Sequence, residues 1–210
     1  MKFDSIELQP VYRAIRDFYP NGSDAPALPE RDDPAYIQYR ESYRGILKSV
    51  PQTSGIYLWF AVREALSPEY VYLGESHGNK NGLRGRLDDE FKRIYHGFWA
   101  TVFNTEKYLD ETIRVFGNRE RYRPSKSYER HIRNDYQRRG ATHIVFGSQI
   151  PDNHNLVSIQ NDLIQMFENP RGNIKDVRSF PLSQAQLSQE AKTIFDGFKG
   201  IIQSSKFASQ

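Results

Sequence analysis

SGIYLWFAV, residues 54–62, and YVYLGES, residues 70–76, decide how this chain folds. Both are short runs of aromatic and aliphatic residues, and a polar connection through Ser67-Pro68 separates them. Together they predict two adjacent antiparallel strands. Next comes GLRGRLDDEFKRIYHGF, residues 82–98, where Leu83, Leu87, Phe91 and Ile94 recur at helical spacing. THIVFGSQI, residues 142–150, predicts a third strand. Asn155 stands where it can cap a helix carrying Leu156, Ile159, Leu163 and Phe167, and that helix stops at NPRGN. A last amphipathic helix holds Leu187, Ala191, Ile194, Phe195, Phe198, Ile201 and Ile202. Strand, strand, helix, polar stretch, strand, helix is an α+β order: a small mixed or antiparallel sheet flanked by helices.

Upstream of this core the first fifty residues read as helical. Val11, Ile15 and Phe18 begin a stripe that stops at Pro20, and NGSDAPALPERDDP is a loop. Tyr36, Tyr39, Tyr43, Ile46, Leu47 and Val50 then recur at helical spacing up to Pro51. The organisation expected is a single domain, residues 1–210. It has an N-terminal helical extension (1–53), a core (54–173) carrying a basic helical insertion at about 100–140, and a C-terminal helical extension (174–210).

Composition narrows the function classes. The chain has no cysteine, which excludes disulfides, thiolate chemistry and cysteine-held zinc and suits a reducing cytoplasm. MKFDSIELQP has acids where a signal peptide needs an apolar centre, and no apolar run approaches the roughly 20 residues of a membrane helix. A soluble protein without a membrane partner is expected. The net charge of +3 is unevenly spread: residues 119–139 hold eight Arg or Lys against three acids, a local excess of five that leaves the remainder at −2. A basic stripe on a near-neutral body is the electrostatic footprint of a polyanion binder. In this stripe Arg119, Arg121, Arg123, Lys126, Arg130, Arg133, Arg138 and Arg139 are interleaved with Tyr122, Tyr128 and Tyr136, which can stack on bases while the cations meet phosphates. The competing reading is a solvated helix face.

Five short strings fall in order on these elements: Gly55-Ile56-Tyr57, Tyr72-Leu73-Gly74, Leu83-Arg84-Gly85-Arg86-Leu87, Gln160-Asn161-Asp162-Leu163-Ile164 and Pro170-Arg171-Gly172-Asn173. Singly they are common. In this order, on two strands, a helix, a further helix and the segment after it, they resemble the GIY-YIG family of metal-dependent DNA endonucleases over about residues 54–173. YLG is a mild variant of the second tripeptide.

The resemblance implies a GIY-YIG core and hydrolysis of phosphodiester bonds in double-stranded DNA with Mg²⁺, for which Mn²⁺ can substitute. It gives Tyr57 the task of activating or orienting the nucleophile, with support from Tyr72. Arg86 would clamp the phosphate with its planar fork of donors, and Asn173 would fix local geometry by hydrogen bonding. Arg84 reads as a phosphate contact or a solvated side chain. The family holds its cation through a Glu where this chain has Gln160, and an amide keeps the shape of a carboxylate but not the charge a hard cation seeks. Either the chain is a form altered to hold DNA uncut, or it is a natural variant that uses another acid, such as Asp162, or has lost catalysis. The retention of the other positions favours the first. Where many members carry a histidine one turn after the Arg, this chain has Glu90, and His77 and His96 are candidate substitutes.

The size suits a stand-alone restriction endonuclease, and such enzymes often pair as homodimers on palindromic sites. A repair, recombination or mobile-element nuclease, and a catalytically silent DNA-binding module, are the alternatives. Taken singly, Tyr57 and Tyr72 read as strand aromatics, and Gln160 as a glutamine at the boundary of an apolar stripe. His131, His143 and His154 lack ligand spacing. A rival pattern, Pro151-Asp152 with Glu190-Ala191-Lys192, imitates the PD-(D/E)xK nucleases, but Ala191 belongs to the apolar stripe of a helix where that family needs a strand.

Overall fold

The computed structural model describes residues 1–11, 34–62, 67–78, 81–95, 141–151, 153–168, 170, 173 and 187–208. Contacts between residues divide the chain into two compact units. One comprises Met1–Glu7, Val50–Arg86 and Ala141–Gln210; the other comprises Leu8–Ser49 and Leu87–Gly140.

The first unit is built on a four-stranded antiparallel sheet of β1 (Lys2–Glu7), β2 (Gly55–Ala61), β3 (Glu69–Ser76) and β4 (His143–Ser148), in the order β1-β4-β2-β3. Every residue of β2 is buried, as its continuous apolar run requires of an interior strand covered on both faces. Between the pairs Trp59↔Tyr72 and Phe60↔Tyr70 the register shifts, and Val71 is the extra residue on β3. Such a bulge breaks the period-2 alternation, so Tyr70 and Tyr72 turn to opposite faces. Tyr70 packs on Phe167 at 4.8 Å, whereas Tyr72 lies beside Tyr57 at 6.2 Å between ring centres.

Helices α3 (Leu156–Met166) and α4 (Gln189–Ala208) cover one sheet face. Ile56, Leu58, Phe60, Leu73 and Val145 meet Leu156, Ile159, Leu163, Ile164 and Phe167 of the α3 region and Ala191, Ile194, Phe198 and Ile202 of α4. Each large apolar side chain buried in this way contributes roughly 1.5–3 kcal/mol. Asn155 caps α3 by accepting from Ser158 N at 3.1 Å. Ser188 Oγ accepts from Ala191 N at 3.2 Å, closing the start of α4, and Ala191 is fully buried on that helix. The helical setting removes the strand-borne PD-(D/E)xK alternative.

One expectation is corrected. Residues 2–7, read as part of a helical extension, form β1, paired to β4 from Lys2↔Ser148 to Glu7↔His143. Phe3 and Ile6 lie three apart, a spacing that reads as one helical face. In the strand they point to opposite faces, and Phe3 packs edge-on against Phe198 at 6.0 Å while Ile6 is buried.

The second unit contains α1 (Pro34–Leu47) and all but the first turn of α2 (Gly82–Tyr95). Tyr39, Tyr43 and Leu47 are buried, Tyr39 Oη donates to the Phe91 carbonyl at 2.8 Å, and Tyr43 stacks on Phe91 at 5.5 Å. Arg44 and Lys92 both pair with Asp88, at 3.6 and 2.5 Å. No described helix is long and apolar enough to cross a membrane.

Candidate functional site

The two tripeptides owe their glycines to side chains that need the space. A Cβ on Gly55 would fall on Leu83 Cδ1 and on the Gly147 carbonyl oxygen, and a Cβ on Gly74 would fall on Tyr57 Oη and Cζ. Tyr57 is paired with Gly74 across the strands, so its ring lies over a residue with nothing to displace it.

Leu83 seated on Gly55 brings the start of α2 against the segment before β2. Leu83 N donates to Thr53 O at 3.0 Å, Arg84 N to Pro51 O at 3.2 Å, and Arg84 Nε to Val50 O at 2.7 Å. Amides that a helix start leaves without intrahelical partners are thus satisfied by the preceding loop. Gly82, at φ +53°, permits this approach, since a Cβ there would stand 2.5 Å from Thr53 O and 2.7 Å from Thr53 N. Arg84, read in the sequence as a phosphate contact or a solvated side chain, anchors its own helix through Nε.

The same first turn delivers Arg86 to Tyr57: Arg86 Nε donates to Tyr57 Oη at 3.2 Å. Tyr57 is fully buried, while Arg86 and Tyr72 are half-buried. The three lie together, Tyr57 bonded by Arg86 on one side and set beside the Tyr72 ring, with Tyr57 the most buried of them. Because Arg86 donates to the phenol oxygen, the phenol proton must point away from it. The oxygen is thereby oriented as a donor or, when ionised, as an anion beside a cation. The planar terminal nitrogens of a guanidinium match two oxygens of one phosphate.

Gln160 and Asn173 come together elsewhere, on the outer edge of β3. Asn173 is fully buried and grips the main chain of Leu73 twice: Leu73 N donates to its Oδ1 at 2.7 Å, and its Nδ2 donates to Leu73 O at 2.8 Å. Gln160 Nε2 donates to the same carbonyl at 3.0 Å. The side-chain amides replace the neighbouring strand that edge strand β3 lacks. A cation does not fit this arrangement. The position carries an uncharged amide whose nitrogen is turned onto a carbonyl, and among the described residues no group of three or more His, Asp or Glu side chains could hold a metal.

The substitute acids and histidines are dispersed. Asp162 is buried on α3 and accepts from Ser188 N at 3.1 Å, so it joins α3 to the start of α4. Two residues along a helix turn a side chain by about 200°, which explains why Asp162 does not share Gln160's direction. Glu90 is buried in the second unit, away from solvent. His77 is exposed and lies 3.4 Å from Glu75. His96 and the whole basic stretch, Arg119, Arg121, Arg123, Lys126, Arg130, Arg133, Arg138 and Arg139, lie outside the described residues. Sequence reading passed over Glu75, although its place directly after Gly74 and two before His77 marks it as a charged strand end.

Half-buried His143 is held below the ordinary histidine value by desolvation, with Glu7 opposing the shift. It stacks on Phe60 at 5.3 Å, and its Nδ1 lies 2.8 Å from Thr142 Oγ1. The chain matches no protein-family model, no curated protein and no solved structure.

Proposed function

We propose that this chain is a metal-dependent endonuclease of double-stranded DNA with a GIY-YIG core, acting in site-specific restriction in the cytoplasm. The observation that carries the reading is the hydrogen bond from Arg86 Nε to Tyr57 Oη. It joins the tyrosine of the first tripeptide to the second arginine of LRGRL, the two residues to which the resemblance gives the nucleophile and the phosphate. In this reading Arg86 receives the scissile phosphate and stabilises the charge that grows on it. Tyr57 directs the attacking water through its oriented hydroxyl, and Tyr72 shields the pair. No step is assigned to residue 160. The basic stretch 119–139 meets the DNA backbone, and a homodimer would match a palindromic target.

The test is nicking of supercoiled plasmid with Mg²⁺ or Mn²⁺ by the chain and by its Tyr57→Phe variant. Discrete fragments that disappear with Tyr57→Phe support restriction. A smear would replace it with nonspecific cutting, and cutting undiminished in Tyr57→Phe would remove Tyr57 from the site. Binding is followed in the same samples. Arg130→Ala with Arg133→Ala should lower the salt slope by up to about one unit for each phosphate no longer neutralised, and an unchanged slope makes that stretch a solvated face. A second reading, a DNA-binding module that does not cut, is favoured by the Gln160 amide at the position where the family carries its metal-binding Glu. DNA binding without nicking under every metal would establish it, and absence of DNA binding would defeat both.

A further inference from the structure

Position 160 does not suit a cation, and the end of β3 carries a different pair of side chains, Glu75 and His77. Glu75 stands two residues beyond Leu73 and directly after the glycine that seats Tyr57. Its side chain is only 22% exposed, and Oε2 is shut off from solvent with no hydrogen-bond donor upon it. A carboxylate oxygen held this way is costly unless something positive meets it. Facing it is His77 Nε2 at 3.4 Å, longer than a hydrogen bond. Residues two apart in extended chain share a side, so the backbone presents both groups together. Two ligand atoms about 2.1 Å from a metal and at a tetrahedral angle are about 3.4 Å apart, and that is the separation observed.

We propose that the Glu75 carboxylate and the His77 imidazole form a two-residue site for a divalent transition cation such as Zn²⁺, Co²⁺ or Mn²⁺. One oxygen and one imidazole donor suit these ions, and two protein ligands leave positions open to water or to a phosphate oxygen. His77, 57% exposed, is the side from which the ion arrives. Glu75 pairs with Ile56 and so lies on the sheet face opposite Tyr57 and Arg86, and binding of the cation stands on this geometry apart from the endonuclease reading.

The experiment is titration of the full chain with Co²⁺, read by visible absorption, and with Mn²⁺, read by electron paramagnetic resonance. One Co²⁺ per chain with the strong absorption of a tetrahedral ion is expected. Glu75→Gln and His77→Ala should each weaken binding by at least roughly tenfold, and Gln160→Glu should leave it unchanged. His77 is exposed, so His77→Ala probes the site without disturbing the core. No binding by the chain overturns the proposal, as does binding that both substitutions leave unaltered or that arises only with Gln160→Glu. Plasmid nicking in the same samples keeps the two readings apart. A cation bound here without any nicking defeats the endonuclease and leaves the site. Nicking and binding both indifferent to Glu75→Gln and His77→Ala defeat the site and leave the endonuclease.

Discussion

β3 is served by hydrogen bonds of two kinds. On its sheet face, above Gly74, one side chain bonds another: Arg86 to Tyr57. On its outer edge, side chains bond main chain: Asn173 and Gln160 to Leu73. The difference is what each arrangement can give up. Arg86 bonds a side-chain hydroxyl, so its bond to Tyr57 engages no main-chain group. Asn173 cannot leave without stranding the buried Leu73 N–H and taking one of two donors from the Leu73 carbonyl. Of the residues that read as one site in the sequence, Tyr57 and Arg86 thus bond each other, whereas Gln160 and Asn173 complete a sheet edge.

The edge gives the largest expected effect. Asn173→Ala leaves the Leu73 N–H without its partner and weakens the carbonyl's bonding, which should destabilise the fold by about 2–4 kcal/mol, seen as a lower Tm. A drop below about 0.5 kcal/mol would show that water replaces the amide and that the edge is not the structural half. On the face, Arg86→Ala should destabilise the fold less than Asn173→Ala and slow single-turnover cleavage by roughly a hundredfold, about 2.7 kcal/mol of barrier. Arg84→Ala should do the reverse in kind, since its Nε bonds Val50 O. Rates falling more for Arg84→Ala than for Arg86→Ala would exchange their roles.

Gln160→Glu sharpens the division. A carboxylate cannot donate to Leu73 O, so the variant should be less stable by about 1–2 kcal/mol, and Mg²⁺ or Mn²⁺ should not restore it. Recovery of Tm by either metal together with new cleavage would move residue 160 from the structural half to the chemical one. The smallest effect belongs to His143. Its folded value lies below its ordinary one because burial disfavours the charged ring. The unfolded chain therefore binds the proton more readily, and stability is full above about pH 6.5 and declines as pH falls below it. Water screens part of the effect at this half-buried ring. Comparing Tm at pH 7.5 and 5.5 for the chain and for His143→Gln checks the sign: the substitution should remove part of the decline.

The local elements were legible because local spacing makes them. The strands at 55–61, 69–76 and 143–148, the helices at 34–47, 82–95, 156–166 and 189–208, and the cap at Asn155 follow from apolar periodicity and a single side-chain acceptor. So does the placement of Ala191 on a helix rather than a strand. β1 was not legible, because Phe3 and Ile6 mimic a helical pair and only the presence of β4 gives six residues a reason to extend. The roles of Gln160 and Asn173 were hidden for a related reason. Their partner is the main chain of Leu73, 87 and 100 residues away, and any residue at position 73 offers the same N–H and C=O. The Val71 bulge, which sends Tyr70 and Tyr72 to opposite faces, arises from pairing with β2 and leaves no mark in the residues themselves. Sequence alone determined which segments are strands and helices and brought Tyr57 and Arg86 into one hypothesis. Tertiary structure decided which polar side chains face another side chain and which satisfy the backbone, since burial makes each unsatisfied N–H and C=O too costly to leave.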